Sequence, residues 1–160
     1  MAIRLVPHDP DWASIYERAA ADIRGALGST ALSVDHVGST AIPGIVAKPV
    51  IDVEILVEAY DPEAPYRGPR ESLGYAFDHR DESHVFFVGS FFEIPFHVHV
   101  VEESSDSRMM IKFRDYLRAH PDEARRYEDL KKALGEQHDD ANAYANAKSS
   151  YVLEIVRRAQ

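Results

Sequence analysis

The sequence predicts an α+β domain, loosely α/β in character, with a mixed β-sheet covered by helices and a helical C-terminal part. Three observations carry this expectation: a helix-spaced apolar stripe near the start, five short β-rich runs between residues 31 and 101, and helical spacing again from Met110 onward. With 160 residues and 45% hydrophobic content the chain can fill one well-buried core but hardly two, so residues 1–160 read as one domain.

From Asp9 to Leu27 the residues Trp12, Ile15, Tyr16, Ala19, Ile23 and Leu27 recur at helical spacing. Asp9 suits the cap, Pro10 the first helical position, and Gly28 the end of the run. Ala31 to Val37 and Pro49 to Glu58 read as strands, and the loop between them carries Gly38-Ser39-Thr40 and Pro43-Gly44. Tyr60 to Pro69 holds three prolines and a glycine, which predicts a connector, with room for a helical turn at Arg70 to Leu73. Three β-rich runs follow, Tyr75 to His79, His84 to Phe92 and Pro95 to Val101, close enough together for antiparallel neighbours. Thereafter Met110, Phe113 and Leu117 share one helical face and Ala124, Tyr127 and Leu134 another, with Pro121 just inside a helix start. A last helix from Asp140 to near Arg158 has Tyr144, Ala147, Tyr151 and Ile155 as its stripe.

Charge and composition narrow the function classes. A formal net charge of -9 argues against extended nucleic-acid binding, which normally needs a basic stripe, but leaves room for a nucleotide or other small phosphorylated ligand held in one cleft. No apolar stretch approaches the roughly 20 residues of a membrane span. The absence of cysteine and of a basic-then-apolar leader predicts a cytoplasmic protein with no membrane association.

Strand alternation puts Ile51, Val53, Ile55 and Val57 on one face and Asp52 and Glu54 on the other. Two carboxylates about 5 Å apart repel by roughly 3 kcal/mol at an effective dielectric of 20, so a partly buried pair needs a proton, a basic partner or a metal ion. Mg²⁺ suits oxygen ligands that bridge to phosphates, with Mn²⁺ or Zn²⁺ as substitutes. The spacing alone equally describes two acids on a solvated face. The preceding loop tips the balance toward a site, because Gly38 lets backbone approach a phosphate while Ser39 and Thr40 offer hydroxyl and N–H donors. The loop lacks the Lys-Ser/Thr ending of a Walker A motif.

His97 and His99 share a strand face, which suits two ligands of a transition metal or phosphate contacts, and equally two histidines bonded across the sheet. Lys48, Arg114 and Lys148 are the candidate cations for a phosphorylated ligand. Tyr144 and Lys148 lie four apart on a helix, so the ring can take a base while the ammonium meets phosphate; a core tyrosine with a snorkelling lysine fits the same spacing. Arg114 with Asp115 also suits a structural ion pair. His36 is placed to orient Ser39 or a phosphate, and Arg80 and His84 lie in a connector that can reach the cleft.

The run from His36 through Gly38-Ser39-Thr40-Ala-Ile-Pro-Gly44 and Lys48-Pro-Val-Ile to Asp52 resembles the signature of the GrpB family, within the nucleotidyltransferase superfamily. Further matches follow in order: Pro10-Asp-Trp12, His97-Val-His99, Phe113-Arg-Asp-Tyr-Leu-Arg118, Tyr127 with Leu130-Lys131, and Tyr144 with Lys148. The resemblance implies the nucleotidyltransferase fold, with Gly38-Ser39 holding nucleotide phosphates and Asp52 and Glu54 holding Mg²⁺. A third acid, usual on a neighbouring strand in that superfamily, has no clear counterpart; the segment where it would lie offers His97, His99 and, less suitably, Glu93. Three functions follow as expectations: transfer of a nucleotidyl group from a nucleoside triphosphate with Asp52, Glu54 and His99 as catalytic residues, an inactive nucleotide-binding accessory module such as one associated with coenzyme A metabolism, or a phosphoester hydrolase with metal on His97 and His99.

Overall fold

The architecture comes from a computed structural model that describes residues 4–82, 84–103 and 108–159. Helix α1 spans Asp11–Leu27 and opens where the Asp9 carboxylate accepts the Asp11 N–H at 2.9 Å. Trp12, Tyr16, Ala19, Ala20, Ile23 and Leu27 form its buried stripe. Strands β1 (Ser33–Val37) and β2 (Ile51–Val57) follow, separated by a loop with one 3₁₀ turn, Ser39–Ala41.

Helix α2 (Ala64–Ser72) occupies most of the stretch expected to be a connector. Pro65 sits in its first turn, where a missing N–H costs nothing, so only Pro69 removes an internal bond. The helix has no aliphatic stripe for periodicity to detect. Tyr66 and Arg70, four apart, anchor it instead: the Tyr66 hydroxyl donates to the Tyr60 carbonyl at 2.6 Å, and the Arg70 guanidinium lies 4.6 Å from the centre of the Phe87 ring.

Strands β3 (Ala76–Arg80), β4 (Val85–Phe91) and β5 (Ile94–Glu102) complete a five-stranded sheet of order β1-β2-β5-β4-β3. The β3–β4 and β4–β5 pairs are antiparallel, as their short separations predict. The β2–β5 pair is parallel, reached by the crossover through α2, and makes the sheet mixed. Three helices follow, α3 (Met109–Ala119), α4 (Pro121–Gln137) and α5 (Ala141–Arg158), the last capped by the Asp140 carboxylate on the Ala143 N–H.

Two apolar clusters divide the work. Ile51, Val53, Ile55, Phe87, Val98 and Val100 from one sheet face pack with Trp12, Ile23 and Tyr66 of α1 and α2. Ile42 and Ile45 of the β1–β2 loop pack with Phe113, Leu117, Tyr127 and Ile155 of the C-terminal helices. The second sheet face therefore looks toward α3, α4 and α5 across a cleft instead of sealing onto a core. No described helix is long and apolar enough to cross a membrane.

Candidate functional site

The cleft encloses about 870 Å³ between the second sheet face and the three C-terminal helices. Its floor is written in the strand register. One cross-strand row runs Asp35, Glu54, His99, Phe86, His79 and the next runs Val37, Asp52, His97, Val88. Since cross-strand partners share a face, Asp52, Glu54, His97 and His99 come together without any help from loops.

Gly38 joins the turn to the acids. Its φ of +76° lies in the left-handed region, and a Cβ there would stand 2.4 Å from Oδ2 of Asp52. Only glycine gives both the turn and room for the carboxylate against the backbone. Beside it, the Ser39 hydroxyl lies 3.2 Å from that of Tyr127 on α4.

The two acids differ in environment. His99 Nε2 donates to Asp52 Oδ1 at 3.1 Å, and His97 Nδ1 stands 3.8 Å from the same oxygen. Burial works against the ionised Asp52, yet the His99 bond and the neighbouring His97 and Lys148 charges hold its pKa below the ordinary value. Glu54 is 1% exposed, and among the described residues neither of its carboxylate oxygens has a hydrogen-bond partner. Arg108 approaches Oε1 only to 3.6 Å. Burial pushes the Glu54 pKa up to about 7, with Arg108 opposing and Asp35 reinforcing the rise. Two orphaned buried oxygens beside a second carboxylate are what a divalent cation would satisfy, so these residues fit Mg²⁺ or Mn²⁺.

Opposite the acids stand three lysines. Lys48 leaves the β1–β2 loop, Lys131 projects from α4 and Lys148 from α5; all three line the cleft. The Lys48 and Lys148 ammonium groups lie 5.4 and 4.5 Å from the Tyr144 ring centre, and that of Lys131 lies 4.9 Å from the Tyr127 ring. Burial depresses all three pKa values, with Lys148 reinforcing the effect on its two neighbours, and Lys131 is pushed down to about 7. The Lys131 ammonium donates to the Val46 carbonyl. The nearby Glu128 is occupied by the Val46 N–H at 2.6 Å and by Lys132 at 3.5 Å. Three crowded lysines, Lys48 and Lys148 half-buried and Lys131 fully buried, facing two acids leave room for a multiply charged anion bridged by a cation.

Comparison with known proteins supplies the lineage. A model of the GrpB protein family matches residues 2–158. The chain belongs to the GrpB family. It is 39% identical over 163 residues to a UPF0157 protein of Halalkalibacterium halodurans, covering 99% of this chain and 83% of that one. It is also 30% identical over 186 residues to a dephospho-CoA kinase of Mycolicibacterium paratuberculosis, covering 98% of this chain and 46% of the kinase. Among solved structures, a GrpB protein from Enterococcus faecalis superposes with a TM-score of 0.84 at 27% identity, covering 98% and 96% of the two chains.

Within this GrpB domain, Gly38, Ser39, Lys48, Asp52, Glu54, His97, His99, Tyr144 and Lys148 meet in one cleft. Thr40 does not: it is 2% exposed, and its hydroxyl lies 2.9 Å from His36 Nε2 beneath the turn. His36 stacks on Tyr16 at 4.8 Å, and burial drives its pKa down to about 4, so it braces the turn as a neutral ring instead of meeting a phosphate. Arg114 lies outside the cleft lining; it is spent on the His36 carbonyl at 3.0 Å, on Asp115 at 2.9 Å and on Asp35 at 3.6 Å, the structural ion pairing that its sequence context also suited. Tyr144 is fully buried beneath two ammonium groups, which leaves no ring face for a base. Arg80 turns away to Asp61 and Glu63, and Glu93 sits in the exposed β4–β5 turn.

Sequence reasoning missed Lys131 and Asp35 as neighbours of the site. Lys131 had a legible signal, since it lies four residues after Tyr127 on the same helical face. Asp35 had none, because its place opposite Glu54 exists only once β1 and β2 pair in this register. Held by Arg108 and Arg114 at 3.6 Å each, Asp35 is no free third acid.

Proposed function

We propose that this cleft binds a nucleoside triphosphate with a divalent cation and transfers its nucleotidyl group to an acceptor oxygen, with the α–β phosphate bond broken and pyrophosphate released. The carrying observation is the convergence of the Gly38 turn, the Asp52–Glu54 pair and the Lys48, Lys131 and Lys148 wall on one space. Asp52 and Glu54 would hold Mg²⁺ or Mn²⁺, which when bound neutralises phosphate charge and polarises the phosphoryl centre. Ser39 and the turn's backbone N–H groups orient the phosphates, and the lysines balance the charge that the metal leaves. Phe86, Val101, Met109 and Met110 line an apolar stretch of the cleft suited to a base. His99, already bonded to Asp52, is placed to hold or pass a proton at Nε2.

A second reading is favoured by two specific features: β5 presents histidines beside the acids, and Asp35 is tied to two arginines. An accessory module that binds the nucleotide without transferring it fits that arrangement, and the match to part of a dephospho-CoA kinase supports such a role in coenzyme A metabolism.

Calorimetry with ATP, GTP, CTP and UTP, each with Mg²⁺, Mn²⁺ or Zn²⁺, separates the readings. Metal-dependent binding lost in Asp52→Asn supports transfer; binding indifferent to that substitution supports the accessory module. No nucleotide binding under any condition overturns both.

A further inference from the structure

Across the cleft from the lysines, the β3–β4 hairpin gathers His79, Asp81 and His84. Regular pairing after Phe77↔Phe87 would put Asp78 opposite Phe86, but a bulge between Phe77 and His79 puts His79 there. One extra residue thus turns His79 onto the cleft face, in the cross-strand row of Phe86, His99 and Glu54. At the other end of the turn, the Asp81 N–H donates to the His84 carbonyl at 3.0 Å, and the His84 N–H donates to Asp81 Oδ1 at 3.0 Å. That pair of bonds sets Oδ2 of Asp81 between the two imidazoles, 3.6 Å from His79 Nε2 and 3.8 Å from His84 Nε2.

We propose that His79, Asp81 and His84 form a site for a divalent transition metal, of the kind represented by Zn²⁺ or Co²⁺, on the wall of the cleft opposite the lysines. The three ligand atoms lie within 4.8 Å of one another. Tetrahedral bonds of about 2.0–2.1 Å require ligand atoms roughly 3.4 Å apart, so the two histidine–carboxylate separations are already within a few tenths of an ångström of closure.

Further features match a metal site. Asp78 accepts from His79 Nδ1 at 2.6 Å and leaves Nε2 facing Asp81; an outer carboxylate commonly orients a ligating histidine in this way. Two imidazoles and one carboxylate select Zn²⁺ or Co²⁺ over Mg²⁺, which distinguishes this position from the acid pair on β2. Three protein ligands leave a fourth position, which here opens to a cleft that His79 and His84 both line.

The site is independent of whether the cleft transfers nucleotides. The test is Co²⁺ titration of tag-free full-length protein, read by visible d–d absorption, with Zn²⁺ competition for stoichiometry. Expected are one Co²⁺ per chain displaced by Zn²⁺, loss of the band in His79→Ala, His84→Ala and Asp81→Asn, and about 10–100-fold weaker binding in Asp78→Asn. Asp52→Asn should retain the band. Should an alanine variant fail to fold by circular dichroism, His79→Gln and His84→Gln give the same readout with less loss of packing. A band that survives substitution of either histidine, a band lost in Asp52→Asn instead, or no band at all overturns the assignment.

Discussion

Glu54→Gln isolates the energetic cost of the buried acid. The Glu54 pKa rises from the ordinary 4.5 to about 7, chiefly through burial. A shift of that size corresponds to about 3 kcal/mol of preference for the protonated form. Below pH 4.5 the folded and unfolded chains both carry the proton, and Glu54 adds no pH dependence. Between 4.5 and 7 the unfolded chain has released a proton that the folded chain still holds, so each rise in pH penalises the folded state; above 7 the penalty is complete. Glutamine has the same shape and never ionises. The variant and the native protein should therefore be equally stable near pH 4, whereas at pH 8 the variant should be more stable by up to about 3 kcal/mol. At about 2–4 °C per kcal/mol for a chain of this size, that is a Tm difference of about 6–12 °C. Other titrating groups are common to both proteins and cancel in the difference. Urea unfolding at pH 4, 6 and 8 measures it, and a stability difference that stays flat or shrinks with pH would refute the reasoning. Mg²⁺ or Mn²⁺ added at pH 8 should stabilise the native protein and leave the variant nearly unchanged.

Three other expectations follow from single contacts. Gly38→Ala must place a Cβ at positive φ and against Asp52; it should cost about 1–3 kcal/mol in urea unfolding and abolish metal-dependent nucleotide binding, and native-like affinity would contradict the role given to the turn. Lys131 has a pKa near 7, so it is mostly neutral at pH 8; a phosphate ligand raises that pKa, and calorimetry in buffers of different ionisation enthalpy should show proton uptake on ATP binding. Binding by the native protein with no buffer dependence would remove Lys131 from the phosphate site. Arg70 is fully buried, its guanidinium makes no hydrogen bond among the described residues, and burial lowers its pKa to about 10; Arg70→Met should leave stability unchanged or raise it by about 1–2 kcal/mol, and a loss above 2 kcal/mol would show that the ring contacts outweigh desolvation.

The fold was legible wherever side-chain periodicity reports burial. The stripe of α1, the alternation in β2 and the hairpin spacing of β3, β4 and β5 all follow from which faces must leave water. Helix α2 was missed because its buried anchors are a tyrosine and an arginine, and its prolines read as breakers although one occupies a permissive position. Within the candidate site, the glycine turn and the two acids were visible because each depends on local backbone chemistry. Thr40 and Arg114 were assigned to the ligand because sequence gives a side chain's type but not its direction; one bonds inward to His36 and the other ties α3 to β1.

By itself, the order of residues determined that a glycine turn would precede a strand carrying two acids on its non-core face, since period-two alternation needs no partner to operate. Which strands lie beside that face was decided only by the tertiary structure. Cross-strand register set His97 and His99 against the acids, a bulge aimed His79, and helix packing brought Lys131 and Lys148 together from separate elements. Such contacts join residues distant in the chain, and their geometry is fixed by closure of the sheet and helices around shared cores, not by any local preference.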